Sequence, residues 1–348
     1  MSESRAIVGR RIVFVPPATS GFQEHPNLPR HTICVMTNPS DTANSASPDY
    51  PHALRKRVTL RTLHKAMRSG ERLAMLTCYD ATMARWLERA GLPMILVGDT
   101  AAEMVEGFDQ TYYADFDFLV RLTAGVRRGA PKVLLMADMP FMSYQASESE
   151  ALHNAARFMT EAGADLVKFE VDRTFAPLVE KLSRAGIPVV AHIGSRPQQT
   201  KLTGGYRSVG RTESEARALI ADARALEAAG AVMLLIEATP AEVTREIING
   251  SNLPVIGCGA GPACHAQVIV LHDLLGLTDW QPKFAQPVAS IGGGILDAAS
   301  QWIDKVARND LGEHPYHMVD QSNPADSGNP QSGSKSGRMA RIGPVDSR

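Results

Sequence analysis

A stop signal recurring after helical stretches constrains this chain more than any other feature. Ala-Gly pairs stand at 90–91, 162–163, 185–186 and 229–230, each closing an amphipathic run and each followed by a short apolar one. Glycine in the left-handed conformation satisfies the last carbonyls of a helix, so the repeated pair reads as repeated helix termini. The apolar runs are candidate strands: Leu73–Cys78, Met94–Gly98, Val133–Ala137, Leu166–Phe169, Val189–His192, Met233–Ile236, Val255–Gly257 and Val268–Leu271. Between them lie candidate helices at Thr82–Ala90, Ser147–Ala162, Phe175–Ala185, Glu213–Ala229 and Ala241–Ile248, with apolar residues at helical spacing. Ser147 is a natural N-cap, with Glu150 placed to complete a capping box. Strands alternating with helices imply an α/β fold with a parallel sheet, and eight such runs are what a closed (β/α)₈ TIM barrel needs. A Rossmann-type open sheet is the rival, but the first βα junction lacks its GxGxxG turn.

Residues 1–55 are rich in Pro, Ser, Thr and Asn without periodicity, and residues 319–348 are rich in Ser, Gly and Pro. Both read as disordered extensions around a catalytic domain at 56–318, whose length is close to the ~250 residues typical of a barrel. Arg10 and Arg11 ahead of Ile12–Val15 faintly resemble a signal peptide, but Pro16 and Pro17 interrupt the run. Met36 opens a polar segment and is a second candidate start. With 36 basic and 37 acidic residues the chain has no global field to draw it to nucleic acid or an anionic membrane, so a small-molecule partner is the default. Cys34, Cys78, Cys258 and Cys264 are scattered without CxxC spacing, which suits reduced thiols and a cytoplasmic protein better than structural zinc or disulfides.

In a barrel the chemistry sits where strands end, because the βα loops form the active face. Reading each strand end in turn gives Asp99, Asp138, Glu170 with Lys168 two residues before it, His192 and Glu237. Asp99, Asp138 and Glu170 form an all-oxygen, hard donor set suited to Mg²⁺. Lys168 and Glu170 face the same side of their strand, so Lys168 is placed to hold a substrate carboxylate or to form a buried ion pair with Glu170. His192 reads equally as a hydrogen-bonding site residue or as a satisfied core histidine. Gly257-Cys258-Gly259-Ala260-Gly261 reads equally as an anion-binding loop or a tight turn, and Gly292–Gly294 as a loop or helix start. His272 and Asp273 are left without a role.

Several segments together resemble the ketopantoate hydroxymethyltransferase (3-methyl-2-oxobutanoate hydroxymethyltransferase) family. They are residues 96–100 (LVGDT), 125–131 (GVRRGAP), 137–142 (ADMPFM), 162–170 (AGADLVKFE), 204–206 (GGY), Glu237 and 254–257 (PVIG), in order from about Thr59 to His317. The resemblance implies a barrel of the phosphoenolpyruvate/pyruvate-binding type, with Asp99, Asp138 and Glu170 at a magnesium site. It implies that Thr100 and Lys168 contact a 2-oxo acid, that His192 lies in the substrate pocket, and that Glu237 is the proton acceptor. It further implies 5,10-methylenetetrahydrofolate as co-substrate, ketopantoate as product and a decameric homo-oligomer.

The chain departs from the family pattern at one stretch above all. Thr100-Ala101-Ala102-Glu103 stands where Ser-Leu-Gly-Met is usual, Phe108 where a histidine follows glycine, and His265-Ala266-Gln267 where Asp-Gly-Gln is usual. These changes bear on folate handling more than on the metal ligands. A magnesium-dependent 2-oxo acid lyase or mutase of the isocitrate lyase type, and a non-catalytic paralogue in a mixed oligomer, are the competing readings.

Overall fold

The computed structural model describes residues 54, 56–314 and 316, so the expected extensions at 1–55 and 319–348 fall, but for residue 54, outside the described residues. Eight strands, β1 (Leu73–Thr77), β2 (Met94–Val97), β3 (Leu134–Asp138), β4 (Leu166–Glu170), β5 (Val189–Gly194), β6 (Met233–Glu237), β7 (Val255–Cys258) and β8 (Ala266–Ile269), form a closed parallel barrel in sequence order. Every strand expected from the sequence is present. The eighth is displaced: it begins at Ala266, and Leu271, expected at its end, opens the short helix Leu271–Leu274. The Leu271 N–H is taken by Thr77 Oγ1 at 3.0 Å, which turns the chain away from the sheet.

The period-2 alternation of the strands sorts their side chains into two cores. Met75, Met94, Leu134, Met136 and Met233 fill the barrel, while Ile95, Val97, Leu135, Val167 and Phe169 pack outward against helices. The expected helices appear as Ala81–Arg89, Glu148–Thr160, Ala176–Arg184, Glu213–Ala228 and Ala241–Asn249. Ser147 caps its helix by accepting from the Glu150 N–H, and a full reciprocal capping box forms at Thr212 and Glu215. The Ala-Gly stops behave as expected: Gly91, Gly163, Gly186 and Gly230 all have positive φ.

Two of the family-like segments serve the fold. Arg127 at the end of helix Phe116–Gly129 donates to the carbonyls of Gly163, Pro131 and Val133 and pairs with Asp165, which also accepts from the Leu135 N–H. A Cβ at Gly129 would collide with the Ala81 carbonyl, so this helix lies against Ala81–Arg89 only because glycine ends it. The turn at Gly259 and Gly261 also follows from packing: both have positive φ, and side chains there would strike Phe284 and Ala241.

Among the described residues, one helix meets the rest of the chain only at its first turn, where the Ile291 N–H donates to the Leu275 carbonyl at 2.9 Å. The glycines at 292–294 lie in the first turn of this helix, Ile291–Ala307, not in a loop. Every residue from Gly293 to Ala307 is exposed, although Ile295, Leu296, Trp302, Ile303 and Val306 form an apolar stripe. Meanwhile β2 to β5 are buried throughout, but Ala74 of β1 and Gln267 of β8 are exposed beside a groove of about 420 Å³ lined by Leu73, Ile269 and Phe284.

Candidate active site

Strand register brings the expected residues together. Asp138, the last residue of β3, is the cross-strand partner of Lys168 on β4; Glu170 at the end of β4 partners His192 on β5; Glu237 at the end of β6 partners Gly194. Asp99 follows β2 after Gly98, where a Cβ would lie 2.9 Å from Thr100 Oγ1. With Thr100, these residues line one pocket of about 70 Å³ at the C-terminal mouth, walled on its apolar side by Leu96, Leu235, Val268 and Ile269.

The polar contacts are specific. The Asp99 N–H donates to Asp138 Oδ2 at 3.1 Å, and the Lys168 ammonium lies 3.1 Å from Asp138 Oδ1. Lys168 Nζ also lies 3.2 Å from His192 Nδ1. An ammonium only donates, so Nδ1 accepts and the ring proton belongs on Nε2, which faces Glu237 Oε2 at 3.5 Å. Tyr79 and Thr100 share a hydroxyl–hydroxyl hydrogen bond of 2.6 Å.

Four carboxylates, Asp99, Asp138, Glu170 and Glu237, surround a single ammonium. Burial raises Asp138 to about 7 against the attraction of Lys168, and raises Glu237 to about 7 in the same way, with Asp99 and Asp138 adding repulsion. Burial also lifts Asp99, and lifts Glu170 well above its ordinary value. Burial alone would lower Lys168, but Asp138, Asp99 and Glu170 outweigh it and keep it charged. His192 is held neutral, its pKa driven well down by burial and then by Lys168 and Arg196.

The donor set fits a divalent cation in a particular way. Among the described residues no group of three or more His, Cys, Asp or Glu is arranged as a ready metal cage. Glu170 is drawn aside, its Oε2 accepting from the Gln198 N–H at 3.1 Å while Oε1 has no hydrogen-bond partner. Asp99 and Asp138, joined through a backbone N–H, remain as an adjacent pair. Mg²⁺ is ordinarily held by one or two carboxylates plus water and substrate oxygens, so Asp99 and Asp138 would suffice to hold it.

Gln198 was not legible from the sequence. From the turn Pro197–Gln199 its Nε2 donates to Asp99 Oδ2 at 2.8 Å and to the Met139 carbonyl at 2.9 Å, and its Oε1 accepts from Tyr144 OH at 3.1 Å. Tyr79 and Cys258 also entered the site unannounced. Ala238, directly after Glu237, has φ of 45°, and is pinned by its N–H to the Cys258 carbonyl at 2.8 Å. A non-glycine residue held at positive φ costs free energy, and here that strain lies next to Glu237.

The departing stretch lies beside the pocket. Ala102 is buried in a short helix, Ala101–Met104, and Glu103 accepts from Tyr206 OH at 3.3 Å. Burial and then Asp99 push Glu103 up to about 7.

A sequence-family model described as ketopantoate hydroxymethyltransferase matches residues 57–314. The 3-methyl-2-oxobutanoate hydroxymethyltransferase of Hyperthermus butylicus is 45% identical over 72% of this chain and 87% of its own. That of Thermobifida fusca is 44% identical over 74% and 92%. Among solved structures, a phosphonopyruvate hydrolase complex with oxalate and Mg²⁺ superposes with a TM-score of 0.51 at 12% identity, over 73% of this chain and 88% of that one. A phosphoenolpyruvate phosphomutase from Streptomyces platensis subsp. rosaceus gives 0.50 at 16%, over 72% and 87%. At those identities the likeness concerns the fold alone.

Proposed function

The chain belongs to the ketopantoate hydroxymethyltransferase family, a family of transferases, and from that premise we propose that it moves a hydroxymethyl group from 5,10-methylenetetrahydrofolate to C3 of 3-methyl-2-oxobutanoate, giving ketopantoate. The observation that carries this reading is the Lys168–His192–Glu237 row, which starts at the Asp99–Asp138 pair and runs along one small pocket. A branched 2-oxo acid has an anionic end for Lys168 and an apolar end for the Leu96, Leu235 and Val268 wall.

Asp99 and Asp138 would hold Mg²⁺, with Glu170 supporting from behind, and the cation would supply Lewis acidity at the oxo acid and so lower the barrier to loss of the C3 proton. Glu237 accepts that proton. His192 turns its Nε2–H toward the Glu237 carboxylate, and Lys168 and the Thr100 hydroxyl fix the substrate so that C3 faces it. The carbon nucleophile then bonds to the folate methylene carbon as the first of that carbon's two bonds to nitrogen breaks, water bonds to the same carbon as the second breaks, and the two nitrogens take up the C3 proton from Glu237 and a proton from the water as tetrahydrofolate leaves. The deciding experiment is to follow ketopantoate formation with the oxo acid, Mg²⁺ and methylenetetrahydrofolate, omitting each in turn. No product with all three present would sink the proposal.

The same reading makes the protein a homo-oligomer, decameric by resemblance to its family. The stripe on Ile291–Ala307 and the uncovered groove over β1 and β8 support it, because a barrel strand needs a helix on its outer face. A helix of this length exchanged between two copies would bury on the order of 2,000 Å², the range of obligate interfaces. We place the reaction in the cytoplasm, in keeping with free Cys78, Cys258 and Cys264. No described helix is long and apolar enough to cross a membrane.

A further inference from the structure

The loops that carry the site also carry a row of aromatic rings left in water. Phe108 stacks on Tyr113 with centroids 5.0 Å apart and planes 26° from parallel. Tyr113 meets Tyr112 at 4.7 Å, and Tyr112 meets the edge of Phe141 at 6.4 Å. Phe108, Tyr113 and Phe141 are 45%, 47% and 43% exposed, so the row is not a core that the fold requires. The Lys201 ammonium lies 4.6 Å from the Tyr112 ring centroid, and Asp109 follows Phe108 in the chain.

The row is tied firmly to the catalytic loops. The Phe108 N–H donates to the Ala102 carbonyl at 2.9 Å, directly behind Asp99 and Thr100. The short helix Thr111–Tyr113 packs against both Ala101–Met104 and the Pro197–Gln199 turn that supplies Gln198. Thr200 Oγ1 donates to Gln110 Oε1 at 2.8 Å, joining the β2 and β5 loops beneath the rings.

Position decides what such a surface is for. The pocket is walled by strand ends and the residues directly after them, and the rings stand on the loops that lead away from those ends, so a folate whose reactive carbon enters the pocket lays its ring systems along these loops. A folate presents two planar aromatic systems followed by a carboxylate tail. Offset and tilted rings offer stacking faces for the first, and a cation at their end offers a partner for the second.

We propose that the Phe108–Tyr113–Tyr112–Phe141 row is the docking shelf for the aromatic rings of the folate co-substrate, with Lys201 receiving a carboxylate of its glutamate tail. The proposal rests on the folate reading above. Three of these residues, Phe108, Tyr112 and Tyr113, sit in the stretch after β2 where this chain diverges, so the shelf makes that stretch a determinant of co-substrate affinity.

The test compares wild type with Phe108→Ser/Tyr113→Ser and with Lys201→Met. Binding of tetrahydrofolate and of its triglutamate is read by titration, alongside the KM for methylenetetrahydrofolate, the KM for the oxo acid and the assembled mass. The double variant should raise both folate constants about tenfold, the loss of one to two stacking contacts, and leave the oxo acid constant in place. Lys201→Met should shrink the advantage of the triglutamate over the monoglutamate. Unmoved folate constants in a wild type that uses folate would overturn the shelf alone. A lower assembled mass in the double variant would make the row a contact between copies and overturn it too. Failure of wild type to bind tetrahydrofolate or use methylenetetrahydrofolate would remove the folate reading and the shelf with it.

Discussion

His192 Nε2 lies 3.5 Å from Glu237 Oε2, while the opposite ring nitrogen lies 3.2 Å from the Lys168 ammonium. The imidazole therefore turns its Nε2–H toward Glu237 without closing a hydrogen bond, which leaves the carboxylate free for the base role proposed for it.

Glu237→Gln should keep the contact with His192, since an amide oxygen can still face the Nε2–H, but lose the proton transfer. Exchange of the C3 hydrogen of the oxo acid with heavy water, followed by proton NMR, should slow by roughly 10² to 10⁴, the usual worth of a positioned base. Binding of Mg²⁺ and of the oxo acid should persist. Exchange at the wild-type rate would remove Glu237 from the role.

The pH dependence follows from the same group. Burial first, and repulsion from Asp99 and Asp138 after it, hold Glu237 up to about 7, partly countered by Lys168. Only the ionised form accepts a proton, so exchange should rise with pH through about 7 and level off above it. A cation at Asp99 and Asp138 adds attraction and should shift the midpoint lower as Mg²⁺ is raised. A rate that falls between roughly pH 6 and 8 would contradict the assignment.

Asp138→Asn separates the metal from the fold. Removing one of four carboxylates around Lys168 relieves repulsion, but an amide oxygen that accepts the Asp99 N–H turns the NH2 toward the Lys168 ammonium, so the metal-free protein should melt several degrees below wild type while remaining folded. The gain in melting temperature on adding Mg²⁺ should largely disappear, and activity should need far more metal. An undiminished Mg²⁺-dependent gain would place the cation elsewhere.

How the site could be read in advance, and where reading stopped, is clearest at Asp138 and Gln198. Asp138, Lys168, Glu170, His192 and Glu237 lie on or at the end of strands, and strand ends are visible as the points where apolar runs break. The barrel then converges them without any knowledge of register. Gln198 reaches the same centre from a turn beyond β5, and no periodicity marks which loop residue folds inward. The eighth strand slipped for a similar reason: the apolar run continues through Leu271, and only the Thr77 side chain, distant in sequence, ends it.

Gln198→Leu should therefore cost more than its lack of charge suggests. It removes the donors to Asp99 Oδ2 and the Met139 carbonyl and the acceptor for Tyr144, in a site closed to water. Leaving buried partners unpaired costs about 1 to 3 kcal/mol, which a urea titration would read as a lower midpoint. Mg²⁺ affinity should fall with it, because Asp99 loses its side-chain donor, while Glu170 keeps the backbone N–H of residue 198. A variant as stable as wild type with unchanged metal affinity would reduce Gln198 to filler.

The terminal helix offers the cleanest test of assembly, because its own barrel does not use it. From Gly293 to Ala307 it buries no residue against its own chain, so a charge placed on its apolar stripe leaves the barrel's internal packing untouched. If the stripe sits in the β1–β8 groove of another copy, Trp302→Glu would bring a carboxylate into a surface lined by Leu73, Ile269 and Phe284. Burying an unpaired charge there costs several kcal/mol, enough to shift the association constant by more than 10³. Sedimentation velocity should show wild type as a large assembly and Trp302→Glu as a smaller species with the circular dichroism of a folded barrel. A matching change on the other side, Ile269→Glu, should have the same effect, since helix and groove would be two halves of one contact. Wild-type mass in both variants would mean that the stripe and the groove are not joined, and an unfolded Trp302→Glu would mean that the helix packs on its own barrel after all.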